Sequence, residues 1–579
     1  MLTKEWSTSA ARYDVVIERQ VKIRLKDGTA LDCEIHRPDS DAKFPAILSA
    51  SPYAMWMQAA QVRPNSFSSV AMPHPGEEQA NSPMEAGDLS FFARRGYVQV
   101  VVNVRGSGQS EGLYDFLGTR EVEDIVEAIE WVAEQEWCDG KVGMFGVSYF
   151  ATIQHLVGAV APPALKCLFA PFGSGGFREI LFHGGVFSSR FALGWSATHD
   201  NLRAESVSLR EWGSEEFDLR IEKALADPDL AAIPEIVAAL NDPYTGRNSL
   251  IADIVLHQED GPYWQERTPK YEDISVPIYI GACWASYGIH LPGVFKAWEG
   301  ITAPKRMVLG PPLYLDRPVF QFQFEALRWF DRWLKDAETG IDDDAAVRLF
   351  MRGSGDWIES EEWPLAKTRW TPFNLHEGGL LSERDPWWNE GHDTFTDSPW
   401  NRGFLEYWTP PLVDNVEICG PVGLDFFAST SDPGVQWIVS LWEEDPAGNR
   451  KILSKGALEG SYAKSIVADS PPYAPRHDFT VRHQVLEDEI VRYQIAIVPT
   501  ANKFVAGTRL GLHIACADEP NPQNPLQSAG SAHIRSQRAR RLAIYHDLER
   551  QSCVWIPVTG GNVLGTYMSG GAGYLDFSQ

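Results

Sequence analysis

The stretch from Glu121 to Tyr149 constrains the fold more than any other part of the chain. Apolar residues recur at Val122, Ile125, Val126, Ile129, Val132 and Ala133, one face of a helix that Asp139-Gly140 ends. Lys141-Val142-Gly143-Met144-Phe145 then reads as a strand and runs straight into Gly146-Val147-Ser148-Tyr149. Helix, strand and immediate return to helix imply a parallel sheet with helices packed on it. Upstream, residues 45–50 and 98–104 are apolar without alternation, as strands covered on both faces are. Alternation on either side of Asp27-Gly28 (Val21, Ile23 and Leu25, then Leu31, Cys33 and Ile35) predicts a β-hairpin. The fold class is α/β.

Residues 151–268 lose the alternation and gain helical stretches, such as 215–226 and 234–241, between Pro- and Gly-rich joints. They predict an inserted helical cap over a sheet domain made of residues 1–150 and 269–346. Strands resume at 277–282 and 306–310, and a helix over 323–335 closes that domain. From 347 to 579, short alternating segments (438–442, 493–498, 510–516) separated by Gly, Pro, Asn and Asp predict an all-β sandwich. A chain of 579 residues with 44% apolar side chains can fill more than one core.

The charge balance, 51 basic against 78 acidic residues, gives −27, a field that repels phosphate backbones and anionic headgroups. Nucleic acid and membrane surfaces are therefore not expected partners; a small molecule is. Arg535, Arg538, Arg540 and Arg541 read as a solvated strand or turn. Residues 1–16 show no secretory pattern, and no apolar run reaches about 18 residues. Seven cysteines without C-x-x-C spacing suggest reduced thiols in a cytoplasm. The 14 dispersed histidines form no metal-ligand motif, so neither metal nor cofactor is expected. Gly106-x-Gly108 lacks the helix a dinucleotide loop requires, and the aromatic residues from 321 to 333 follow helical spacing, which marks packing.

Ser148 stands where a strand turns abruptly into a helix, a bend that lifts a serine hydroxyl clear of the backbone and close to a helix N-terminus. Gly146 lies two residues before it, but Phe150 replaces the usual glycine two residues after. The surroundings are more specific. Arg105-Gly106-Ser107-Gly108-Gln109-Ser110-Glu111-Gly112, Glu130-Trp131, Trp137-Cys138-Asp139-Gly140-Lys141-Val142-Gly143-Met144 and Gly146-Val147-Ser148-Tyr149 resemble the family of cocaine esterase, X-Pro dipeptidyl-peptidases and α-amino-acid ester hydrolases. So do Gly184-Gly185-Val186-Phe187, Trp370-Thr371-Pro372-Phe373, Gly420-Pro421-Val422 and Pro499-Thr500. The resemblance implies an α/β-hydrolase sheet with a cap and a C-terminal jelly roll, and it is compatible with a homo-oligomer. It also implies a serine nucleophile at Ser148, with the Tyr149 amide and the Tyr53 hydroxyl forming the oxyanion hole.

The triad partners depart from that pattern. Where the family places its acid, this chain reads Trp284-Ala285-Ser286; where it places its histidine, the chain reads Gly310-Pro311-Pro312-Leu313-Tyr314. A lone serine hydroxyl is a poor nucleophile. Four readings follow. A different histidine (His183 or His199 in the cap, or His290) serves as base and the chain hydrolyses an ester or amide of a small aromatic or apolar acid. Alternatively, Tyr314 is the acid/base, which needs its phenol lowered from about 10, an effect Asp316 would oppose. This tyrosine could also serve, with the oxyanion donors, in a lyase or isomerase reaction without an acyl-enzyme. The last is a binding protein on an inactivated scaffold.

Overall fold

The computed structural model describes residues 7–55, 85–173, 175–199, 202–311, 323–388, 390–518 and 533–561. Twelve strands arise in the first part of the chain: β1 (Val15–Arg24), β2 (Ala30–Pro38), β3 (Phe44–Ser51), β4 (Val98–Asn103), β5 (Cys138–Phe145), β6 (Leu165–Pro171), β7 (Phe182–His183), β8 (Val186–Phe187), β9 (Ile278–Cys283), β10 (Lys305–Gly310), β11 (Val347–Phe350) and β12 (Trp357–Ser360). All but β7 and β8 form one sheet in the order β1-β2-β4-β3-β5-β6-β9-β10-β11-β12. It is parallel from β4 to β11. The predicted hairpin is present as the antiparallel pair β1–β2 at one edge.

Every residue of β3, β4 and β9 is buried, which explains their unbroken apolar runs. The helices Thr119–Ala133 and Tyr149–Val160 follow the periodicity read from the sequence. The helix Gln323–Lys335 lies where its aromatic spacing put it, with Trp329 and Phe330 buried. Gly143 in β5 leaves room for Phe330, whose ring would crowd any Cβ there at 3.0 Å. The sheet runs further along the chain than its expected limit at residue 346: β11 pairs with β10, and β12 pairs with β11, because the covered edge of β10 has open hydrogen-bonding groups to satisfy.

Between β6 and β9 the chain is mainly helical, with helices at Phe177–Leu181, Ser189–Ser196, Val207–Leu225, Pro234–Asn241 and Gly246–Leu256. Val207–Leu225 is kinked at Gly213 (φ 76°). The small β7–β8 hairpin ties this cap to the C-terminal part: the Gly184 carbonyl accepts from the Glu459 amide (2.8 Å) and the Phe187 carbonyl from the Ile534 amide (2.8 Å). At φ 55°, Gly184 approaches the Ala457 carbonyl so closely that a Cβ would collide with it.

The C-terminal strands are β13 (Arg369–His376), β14 (Leu380–Ser382), β15 (His392–Asp397), β16 (Phe404–Trp408), β17 (Val416–Thr430), β18 (Gln436–Glu444), β19 (Arg450–Glu459), β20 (Val491–Phe504), β21 (Arg509–Ala515), β22 (Arg540–Tyr545) and β23 (Cys553–Gly560). They pair in the order β15-β22-β17-β20-β19-β18-β21-β16-β14-β13-β23, and β23 also pairs with β17, closing the ladder into a barrel. Its core, with Trp437, Tyr493, Phe426 and Leu512, is separate from that of the sheet domain. Within the arginine cluster, Arg540 is buried and bonded to Gly434 and Ser536, a packing role. Among the described residues no helix is long and apolar enough to cross a membrane, and no grouping of His, Cys, Asp and Glu is arranged to hold a metal ion. The seven cysteines are free thiols.

Candidate active site

The parallel strands all end on one side of the sheet, and the chain leaving each of them supplies the candidate residues. This is where open α/β sheets bind ligands. Tyr53 follows β3, Ser148 follows the neighbouring β5, and Trp284-Ala285-Ser286 follows β9, two strands further on.

Ser148 has φ 63° and ψ −116°, outside the regions ordinary residues occupy. Such a backbone costs about 1–3 kcal/mol and persists only where its surroundings enforce it. The enforcement is visible: the Val147 amide donates to the Glu85 carbonyl (3.2 Å), and the Ser148 carbonyl receives the Ala151 and Thr152 amides (3.0 and 2.9 Å). Gly146, at φ 141°, cannot carry a side chain because a Cβ would collide with that of Phe150. Phe150 is thus accommodated on the helix, and the glycine before the bend bears the crowding. The Ser148 side chain makes no capping bond to the helix. Tyr149, the first residue of that helix, has an amide beyond the reach of the intrahelical ladder, at the positive end of the helix dipole.

Tyr53 is buried beside this bend, its ring centroid 6.1 Å from that of Tyr149 and 6.3 Å from that of Phe150. The Asn103 side chain donates to its carbonyl (2.7 Å), and the Trp195 indole N–H donates to its hydroxyl (3.1 Å). Asn103 ends β4, where the Arg105 to Gly112 motif begins. The Ser110 hydroxyl donates to the Asn103 carbonyl (2.6 Å), and Gly108 leaves no space for a Cβ against the Asn103 amide. That motif therefore works as a turn that holds Tyr53. Aromatic side chains surround the site: Trp195 lies 5.2 Å from Phe116, 4.8 Å from Phe177 and 4.5 Å from His199, centroid to centroid.

The histidines divide sharply. The His199 ring packs on Tyr53 (5.7 Å) and Tyr114 (6.4 Å), and its Nδ1 lies 3.1 Å from the Trp195 carbonyl. A carbonyl only accepts, so Nδ1 carries the proton and Nε2 the lone pair. His183 is bonded through Nδ1 to His533 (2.7 Å), which faces Asp518 (3.3 Å). Burial, with His533 alongside, pushes the His183 imidazole down to about 3; it is a neutral link between cap and barrel. His290 precedes the helix Leu291–Gly300 with its ring edge-on to Phe172 (5.5 Å). Ser286 donates its hydroxyl to the Cys283 carbonyl (2.8 Å) and closes a 3-10 turn, so it offers no carboxylate chemistry. Tyr314 and Asp316 lie outside the described residues.

Three residues near the bend escaped the sequence. The Tyr149 hydroxyl lies 2.8 and 2.9 Å from the two oxygens of Glu121 and 2.9 Å from the Tyr114 hydroxyl, all buried. In sequence Glu121 is an ordinary acidic residue in the first turn of a helix; only the fold places it against Tyr149. Trp195 is likewise one of 21 tryptophans until the cap folds over the sheet.

Known proteins share this organisation. Residues 27–312 match the family model described as X-Pro dipeptidyl-peptidase (S15 family), and residues 339–554 match that of the X-Pro dipeptidyl-peptidase C-terminal non-catalytic domain. The cocaine esterase of Rhodococcus sp. (strain MB1 Bresler) is 24% identical, covering 87% of this chain and 91% of its own. A CocE/NonD family hydrolase of Staphylococcus aureus superposes with a TM-score of 0.75 at 21% identity, over 94% of either chain. An α-amino acid ester hydrolase does so at 0.69 and 18%, over 95% of this chain and 98% of its own.

Proposed function

Since this chain belongs to the X-Pro dipeptidyl-peptidase family and is a serine-hydrolase-type enzyme, we propose that it cleaves an ester or amide of a small aromatic or apolar acid at Ser148, with His199 as the base. The observation that carries this reading is the strained Ser148 bend with Tyr53 and the helix N-terminus beside it. The Ser148 oxygen attacks the substrate carbonyl, its proton passes to a base, and the developing oxyanion is met by the Tyr149 amide and the Tyr53 hydroxyl. Two such donors lower a barrier by about 3 kcal/mol or more in comparable sites. His199 is favoured over His183 and His290 because its ring rests on Tyr53 and the Trp195 carbonyl fixes its proton on Nδ1. Phe116, Phe177 and Trp195 supply apolar faces for the acyl group.

The barrel we read as the family's jelly roll, bracing the cap through the β7–β8 hairpin. The seven free thiols suit a reducing compartment. A fluorophosphonate probe tests the proposal: covalent labelling at Ser148, lost in Ser148→Ala and strongly slowed in His199→Gln, is the expected result. A wild-type protein that resists the probe rules out hydrolysis through this serine.

A further inference from the structure

The hydrolase reading uses the Tyr149 amide and leaves its buried side chain without a task. We infer that Glu121 is a positioning residue of the oxyanion hole. Through the Tyr149 hydroxyl it fixes the residue whose amide receives the substrate oxygen, and its proton sets the direction of a hydrogen-bond chain from Glu121 through Tyr149 to Tyr114. This rests on the proposed role of the Tyr149 amide.

The geometry is closed on the Glu121 side. The Leu117 amide donates to Oε2 (3.2 Å), and the Tyr149 hydroxyl lies within hydrogen-bond distance of both oxygens. Burial pushes this carboxyl up to about 8, against the hydrogen bonds from Tyr149 and Leu117, and the charges of Asp115 and Asp124 push the same way. The nearby cations are engaged elsewhere: Arg267 pairs with Asp115 (2.8 Å), and Asp124 with Arg105 (2.6 Å) and Arg120 (3.2 Å). Burial also holds the Tyr149 and Tyr114 phenols well above their ordinary range. The charges of Tyr53 and Tyr263 bear on Tyr114 in the same direction.

With Leu117 occupying Oε2, the proton of neutral Glu121 sits on Oε1 and is donated to the Tyr149 oxygen. Tyr149 then donates to Tyr114, and the chain points toward the His199 ring that Tyr114 faces. When Glu121 ionises it can only accept, so both phenols reverse: Tyr114 donates to Tyr149 and Tyr149 to Glu121. A negative charge then stands behind the residue that must stabilise a second one, and the two disfavour each other in a buried site.

The test follows fluorophosphonate labelling of the full chain from about pH 6 to about pH 10 in the wild type, Glu121→Gln and Tyr149→Phe. Glutamine mimics the protonated carboxyl, so Glu121→Gln keeps the neutral-pH rate within about threefold but loses the wild type's fall, about fivefold or more, as pH rises through the Glu121 range. Tyr149→Phe retains the amide yet slows labelling about tenfold, and its fall moves to higher pH because Glu121 loses a hydrogen bond that favours its ionised form. Infrared difference spectra check the protonation itself, while the pH profile of labelling is the readout a merely structural role would not move: the wild type shows a protonated-carboxyl band that disappears at alkaline pH, and Glu121→Gln lacks it. Labelling whose alkaline fall survives in Glu121→Gln, or a missing band, overturns this inference alone. A wild type that is never labelled overturns the hydrolase reading and this one together.

Discussion

Two serines in this molecule invert each other's situation. Ser148 has a strained bend, a helix N-terminus and Tyr53 beside it. Ser382, in the barrel, has what Ser148 lacks in sequence: its hydroxyl lies 3.1 Å from His376 Nε2, and His376 Nδ1 lies 2.9 Å from both oxygens of Glu390. The serine, imidazole and carboxylate are connected as in a catalytic relay, yet Ser382 and His376 are 0% and 1% exposed. The Arg384 amide donates to the Ser382 oxygen (3.3 Å), and the Arg384 guanidinium binds Glu390 (3.2 Å) while resting on the Trp387 ring. Ser382 closes a turn and is sealed from solvent. Connectivity alone therefore does not make a nucleophile; access and preorganised donors decide.

The sharpest way to break this contrast is to delete each hydroxyl. Ser148→Ala should lower fluorophosphonate labelling by about 10³ or more, whereas Ser382→Ala should leave it unchanged; peptide mapping that finds the probe on Ser382 would reverse the assignment. Exchange of the two histidines comes next. His199→Gln should slow labelling of Ser148 by about 10² with no change in melting temperature, and an unaffected rate would remove His199 as the base.

His376→Ala should show the opposite pattern, with labelling intact and a loss of about 2 kcal/mol in stability, because the buried Ser382 hydroxyl and Glu390 carboxylate would each lose a hydrogen-bond partner. Its pH dependence has a definite sign. Burial lowers the His376 imidazole below its ordinary value, although Glu390 opposes that effect. As pH falls through about 6.5 the unfolded chain takes up a proton that the native state resists, so stability declines on acidification. Melting temperature measured from neutral to mildly acidic pH should therefore fall less steeply in His376→Gln than in the wild type.

The same contrast explains what could be read from sequence. The sheet strands and their helices were legible because unbroken apolar runs and 3.6-residue spacing are local signals, and the Ser148 bend was legible because its glycine and serine are adjacent. The edge strands β11 and β12 were not, since what makes Val347–Phe350 part of the first sheet is its pairing with β10, about 40 residues upstream. The site was half legible. Ser148 and Tyr53 lie in short motifs, but Trp195 becomes a neighbour of the bend only when the cap closes over the strand ends, and Glu121 and Tyr114 only when the helix Thr119–Ala133 and the loop before it pack against Tyr149. Among three histidines the sequence had no means to choose; His199 stands out through the Trp195 carbonyl and the Tyr53 ring, both tertiary contacts. Ser382, His376 and Glu390 fall within 15 residues, and nothing in that spacing marks them as sealed.

Trp195 offers the finest test, because it serves both partners of Ser148 through different atoms. Its carbonyl orients His199, and its indole N–H donates to the Tyr53 hydroxyl. Trp195→Phe keeps the backbone carbonyl and most of the ring packing against Phe116 and Phe177 while removing the indole donor to the Tyr53 hydroxyl. The expected loss is about 1 kcal/mol, a roughly fivefold slower labelling of Ser148, the ordinary net value of a single hydrogen bond. The acidic side of the pH profile should stay where it is, since the base keeps its orienting partner. A rate equal to the wild type would mean that Tyr53 is positioned without the indole. A shift of the acidic side would mean that the ring, and not the carbonyl, sets the state of His199.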